Sequence, residues 1–246
     1  MGFILALSLV SGLLIGCIGI GGVLLVPILT LAGTDVHEAI AASMFAFIFS
    51  GVIGTWIYAR RASIDWISTA WLGAGAMPGA FAGALLAARL SGEVLLFFVG
   101  VAVILSGGRA LLRRAGSADG SNHLTAPTLL VIGMGVGVGS AVTGTGGPVL
   151  LVPLLMWLRV PVLAAVGLSQ AIQIPIAGLA SAGNVIAGHL DPRLALLLSI
   201  GLTLGSAAGA RIAHALPSLL LTRLVAVVLL LVGALLIVRS GQAMAW

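Results

Sequence analysis

Long apolar runs fill this chain, each bounded by charged or turn-forming residues, at roughly 3–33, 36–59, 66–88, 93–112, 125–158, 161–187, 193–216 and 218–239. About 20 apolar residues let a helix cross the hydrocarbon of a bilayer, so the pattern predicts eight membrane segments, short connections and no soluble domain. The clearly polar interruption is 115–124, which opens Ala115-Gly116-Ser117-Ala118-Asp119-Gly120-Ser121-Asn122-His123 and reads as a flexible linker. It separates a first membrane repeat, 1–114, from a second, 125–246.

The halves resemble each other. Sliding the sequence by 126 positions lays Val23-Leu24-Leu25-Val26-Pro27 on Val149-Leu150-Leu151-Val152-Pro153 without a mismatch. The same offset carries Ser43 onto Ser169, Asp65 onto Asp191, Gly75 onto Gly201, Gly79 onto Gly205, Gly83 onto Gly209 and Gly107 onto Gly233. Before Pro148, an extra residue in the second half, the offset is 125. Apolar bias alone does not align glycines, an acid and a proline at one spacing, so the chain is expected to be two homologous halves of four segments. The glycines at helical spacing in each third segment form small-xxx-small faces for close helix packing.

The first segment of each half carries a cluster of glycines, Gly19-Ile20-Gly21-Gly22 and Gly144-Thr145-Gly146-Gly147-Pro148. Glycine and proline there interrupt the helix and leave backbone amides without intrahelical partners. Open backbone is tolerated at membrane depth only where it is buried in protein or lines a wet cavity. Each broken segment either crosses, giving four crossings per half and parallel repeats, or dips and returns as a re-entrant hairpin, giving three crossings and inverted repeats. The inverted arrangement is slightly favoured, because alternating access often uses that symmetry. Both place Arg60, Arg61, Arg109, Arg113 and Arg114 on one side, which the positive-inside rule makes cytoplasmic.

Composition strengthens the membrane reading. Hydrophobic residues make up 61% of the 246, and charged residues 7%, against about a quarter charged in a soluble domain. The chain is therefore expected to be an all-α polytopic membrane protein. The eleven basic residues are all arginine and, Arg211 apart, lie at segment ends, which fits headgroup anchoring rather than nucleic acid. The single cysteine, Cys17, excludes an intrachain disulfide framework, no His/Cys spacing suggests a metal site, and the start lacks the basic region of a cleaved signal peptide. Enzyme motifs are absent: no HExxH, no GxSxG, no phosphate-binding loop.

The candidate chemistry is anion binding. Helix ends meeting at a break present amides and a partial positive dipole, for which an anion is the natural ligand. Thr143 and Thr145 stand beside the second break as hydroxyl donors, with Cys17 beside the first. Ser169, Gln170, Gln173 and Asn184 interrupt the apolar sixth segment, Gln170 and Gln173 lying on one helical face, as ligand donors or as glue between helices. Their first-half counterparts are Ser43, Met44, Phe47 and Tyr58, so the second half supplies more polar contacts. Asp65 and Asp191 each precede a third segment and read as helix caps rather than coupling-ion ligands. Arg211, inside the seventh segment, reads as snorkelling to the interface.

The paired glycine motifs, each followed by Val26-Pro27 or Val152-Pro153, in two four-segment halves with a polar central linker, resemble the TauE/SafE family of sulfite exporters, also called TSUP. The first motif departs from the commoner triple glycine in having Val23 after Gly21-Gly22. The resemblance implies a transporter, an exporter in particular, of sulfite or organosulfonates in the bacterial inner membrane, with no cofactor. The substrate is expected between the two breaks, held by Gly21, Gly22, Gly144, Gly146 and Gly147 and by Thr143, Thr145, Ser43, Ser169, Gln170, Gln173 and Asn184; any coupling would use protons. A passive anion channel and a non-transporting membrane scaffold are the competing readings.

Overall fold

The computed structural model describes residues 2–87, 104, 108, 124–143 and 146–244. Apart from Ile104 and Gly108, the segment expected over 93–112 lies outside the described residues, as does 115–123 of the expected linker. Every regular element among the described residues is a helix: α1 (Gly2–Ile18), a 3-10 turn (Gly21–Leu24), α2 (Leu25–Leu31), α3 (Val36–Arg60), α4 (Trp66–Ala87), α5 (Ala126–Thr143), α6 (Pro148–Trp157), α7 (Val162–Ile186), α8 (Pro192–Ala215) and α9 (Ser218–Met244). Among them α3 from His37, α7 and α8 are long and apolar enough to cross a membrane, and α1, α5 to Ala141, α6 and α9 over Leu219–Val228 are shorter apolar stretches.

The long helices start where short polar side chains can cap them. Asp35 accepts from the amides of His37 (2.8 Å) and Glu38 (3.4 Å) at the start of α3. Asp65 accepts from the Ile67 amide (3.0 Å) and the Ser68 hydroxyl (2.6 Å), and Asp191 from the Arg193 amide (2.9 Å). The two repeat-related aspartates are thus caps, as expected, and each satisfies a donor that the first helical turn leaves without a partner. At α6 the cap is Gly147, with Pro148 in the first helical position, where its missing N–H costs nothing.

Both broken segments fold back on themselves. Ten residues of continuous helix would separate Ser11 from Gly21 by about 15 Å. Instead a Cβ on Gly21 would collide with the Ser11 carbonyl and lie 3.0 Å from the Ile15 amide, because the 3-10 turn lies against α1. Gly19, with φ +78°, makes the reversal, its amide bonding the carbonyls of Leu14 (3.1 Å) and Ile15 (2.9 Å). In the second broken segment Leu150 of α6 packs on Gly139 of α5, and Gly146 and Gly147 hold φ of +77° and +98°. Only glycine takes that backbone conformation without strain.

The glycine faces then set which helices meet. A Cβ on Gly75, Gly79 or Gly83 of α4 would strike the carbonyls of Leu130, Met134 or Val138 on α5. On the other side of the molecule, Gly205 and Gly209 of α8 meet the carbonyls of Leu9 and Leu13 on α1, and Gly201 meets Ser8. Both pairs run parallel, backbone to backbone. Between them α3 crosses α7, with Gly51 against Ile174 and Gly54 against Gln170; the registers run in opposite senses, so these helices are antiparallel. The start of α3 accordingly lies by the end of α7, where the His37 and His189 rings are 5.1 Å apart. At the opposite end Ser63 lies by Gly167 and His214.

Candidate functional site

The two breaks meet at the centre of the molecule. A Cβ on Gly19 would lie 2.7 Å from Val152, 3.7 Å from Pro148 and 3.4 Å from the Ser169 hydroxyl, which seats the first break on the start of α6 and the middle of α7. Gly146 faces the Phe47 ring of α3, 2.8 Å from its projected Cβ, and Gly147 faces Ile176 at 3.2 Å and the Ser140 hydroxyl at 3.5 Å. Glycine is required here for closeness as well as for conformation. A side chain at Gly146 would press on the Phe47 ring, and one at Gly147 would make the end of Ile176 shift.

Within this centre the polar groups divide into two kinds. Gln170 donates to the Ile15 carbonyl (2.7 Å) in the last turn of α1, and Gln173 donates to the Phe47 carbonyl (2.9 Å) and to the Ser50 hydroxyl (3.0 Å). Both amide nitrogens are therefore engaged in holding helices together. Ser169 donates to the Val166 carbonyl (2.7 Å) within its own helix. By contrast the hydroxyls of Ser43 and Ser140 are fully buried with no hydrogen-bond partner, as is Oε1 of Gln170. A buried hydroxyl left unpaired is costly, about 1–3 kcal/mol, and needs an explanation. Ser140 stands beside the cap of α6, its hydroxyl 3.5 Å from where a Cβ on Gly147 would lie, and Pro148 brings no amide to the first turn.

The remaining expected residues lie apart or outside. Gly22 is buried in the 3-10 turn, and Gly21 serves the fold-back against α1. Asn184 is half-buried on the wall of a cleft of about 500 Å³ between α3, α4, α5 and α7, with Ile40, Met44, Phe81, Ala141 and Leu179 among its apolar lining. Ala141, near the end of α5, brings that cleft to the approach of the second break. Gly144, Thr145 and the Thr143 side chain lie outside what the structure describes. Arg60, Arg61, Arg159, Arg193, Arg211 and Arg223 are all exposed, so none of them neutralises an anion at the centre. Arg211 sits on the surface of α8, and Arg60 lies over the Trp56 ring at 4.0 Å.

Sequence reasoning missed several polar groups. Ser140 reads as one more small residue in a run of glycines and alanines. Tyr58, the single tyrosine, is fully buried and donates to the Gly16 carbonyl at 2.9 Å. The His214 ring packs on it at 4.5 Å between centroids, with Nε2 3.0 Å from the Ser63 hydroxyl. A lone tyrosine inside an apolar run was the available signal.

Among the described residues the site has hydrogen-bond donors and a helix N-terminus but no charge, and no group of His, Cys, Asp and Glu able to hold a metal. Such a site can hold an anion through hydroxyls and dipoles. The family profile described as "Sulfite exporter TauE/SafE" matches residues 4–236. The probable membrane transporter protein YdhB of Bacillus subtilis (strain 168) is 24% identical, over 89% of this chain and 92% of that protein. The probable membrane transporter protein YunE of the same organism is 27% identical, over 95% and 96%. No solved structure matches.

Proposed function

This chain belongs to the sulfite exporter TauE/SafE family of membrane transporters, and from that premise we propose that it exports a small sulfur-containing anion, sulfite or an organosulfonate, by alternating access. The anion binds at the second break, against the α6 N-terminus and the hydroxyl of Ser140, with the Ser43 hydroxyl on the facing helix as a further donor. The observation that carries this reading is the buried, unpartnered Ser140 hydroxyl beside the glycine cap of α6. An acceptor-rich ligand would supply the missing partner. Binding without a counter-charge is weak, and weak binding suits a carrier that must release its load.

The two halves are read as inverted repeats about an axis between α3 and α7, with α1 and α2, and α5 and α6, as re-entrant hairpins. Three observations support this: both broken segments reverse, the equivalent helices α3 and α7 are antiparallel, and the glycine contacts of α4 on α5 recur for α8 on α1 at the sequence offset. Arg60 and Arg61 then mark the cytoplasmic face of a bacterial inner membrane. Any coupling is to protons.

Purified protein in liposomes tests the reading. Sulfite or sulfoacetate should move against its gradient when a proton gradient is imposed, whereas a passive channel would only dissipate the anion gradient. In Ser140→Ala, loss of a hydrogen bond to a charged ligand, about 1.5–3 kcal/mol, should raise KM roughly tenfold or more in a protein that still folds. An unchanged KM would remove the second break from the site.

A further inference from the structure

The cleft beside α4 and α7 has a counterpart that is filled. At the repeat offset, Met44, Ala80, Ala180 and Asn184 of the cleft wall correspond to Gln170, Ser206, Gly54 and Tyr58, and Ala141 corresponds to Gly16. These counterparts touch one another. The Tyr58 hydroxyl donates to the Gly16 carbonyl (2.9 Å), and the Gln170 side chain occupies the space over Gly54, its Oε1 2.6 Å from where a Cβ would stand. Ser206 donates to the Ser50 carbonyl (3.2 Å), so α8 is bonded to α3 where α4 stands off α7 across the cleft. The cleft lies toward the end of the molecule carrying the start of α3 and the end of α7. The filled counterpart lies toward the end carrying Arg60 and Arg61.

Resting on the reading of the protein as an alternating-access anion carrier, we propose that Tyr58 and Gln170 are a gate: closed on the arginine face in this conformation, while the equivalent entrance on the opposite face stands open at the cleft. The latch is the Tyr58 hydrogen bond to Gly16, two residues before the reversal at Ile18-Gly19 begins to turn the chain toward the site. His214 and Ser63 brace the back of the tyrosine ring. Gln170 carries the mark of a group made for two states: its amide nitrogen is bonded to Ile15 and its buried carbonyl oxygen has no partner here. Opening would let water or a neighbouring donor reach that oxygen, offsetting the loss of the tyrosine latch. The two entrances differ in the size of the residue at the equivalent position, tyrosine on the closed side and asparagine on the open side.

Cys17, the single cysteine, is buried directly beside the latch and reports its state. In the full-length protein in oriented liposomes, a membrane-impermeant maleimide should label Cys17 slowly from either face. Tyr58→Phe, which keeps the ring and removes the latch, should speed labelling from the arginine face about fivefold, the factor expected for one hydrogen bond of the closed state. Gln170→Met, which installs the residue of the open side, should act in the same direction. In a Cys17→Ser background, Ala141→Cys should label readily from the opposite face, and adding Asn184→Tyr should slow it. Unchanged Cys17 labelling in both gate variants, or Ala141→Cys labelling equally from the two faces, would overturn the gate. Labelling needs no substrate, so the outcomes separate: the expected pattern without anion flux in the wild type defeats the carrier reading and leaves the gate, whereas flux with unaltered labelling defeats the gate alone.

Discussion

At the residue scale, the difference that matters is between polar side chains that bind helices and those left waiting for a partner. Gln170 and Gln173 stood out in the sequence because amides are expensive inside an apolar segment, but sequence left open whether they hold ligand or helices. The distances to Ile15, Phe47 and Ser50 place their nitrogens between helices. Gln173→Leu should therefore lower stability by roughly 0.5–1.5 kcal/mol, the net worth of a hydrogen bond, since the Phe47 carbonyl keeps its bond from the Ser50 hydroxyl (3.2 Å), while the KM for the anion stays within about twofold. Thermal unfolding in detergent beside liposome flux checks this, and a weakened KM at unchanged stability would make Gln173 a ligand donor instead. Ser43 and Ser140 behave in the opposite way. Their lack of partners is a property of the space around them, so nothing local in the sequence marks it.

At the element scale, glycine is used for contact in some places and for nothing visible in others. Gly205→Ala would press a methyl into the Leu9 carbonyl and to 2.7 Å from the Leu13 amide, so α1 and α8 must separate, at a cost of about 1–3 kcal/mol. Gly73 in α4 meets nothing within 4 Å, and Gly73→Ala should instead raise stability by about 0.5–1 kcal/mol through helix propensity. A pair of melting curves separates the two. The helix starts make a further prediction. Asp191→Ala removes the cap of α8 and should cost about 1 kcal/mol. At Asp35 the His37 amide, followed by the Glu38 amide and the His37 ring, holds the carboxyl below its ordinary range. A lowered carboxylate contributes stability that is present above its unfolded pKa and lost as pH falls through the folded one. Asp35→Asn, which still caps but does not titrate, should flatten the acid limb of the stability profile and leave neutral pH almost unchanged. The aspartate caps at Asp65 and Asp191 were legible because capping is local. Asp35 follows the same rule without a repeat partner to draw attention to it.

At the scale of the whole molecule, opposite faces should be distinguishable by chemistry. In a Cys17→Ser background, His37→Cys and Ala187→Cys should react with an impermeant thiol reagent from one side only, and Arg61→Cys and Pro161→Cys only from the other; mixed labelling within a pair would break the proposed inverted topology. Sequence by itself determined that the chain is helical and membrane-embedded and where most segments begin and end, because hydrophobic length and caps are properties of neighbouring residues. It placed the two glycine breaks but left open whether they cross or return. Tertiary structure decided that they fold back, that α3 and α7 run antiparallel, and that α4 packs on α5 and α8 on α1. It alone paired Tyr58 with Gly16 and left Ser140 unpaired beside Gly147, because a contact between groups scores of residues apart depends on how whole helices cross, and that is set by the summed packing of many small residues rather than by any one of them.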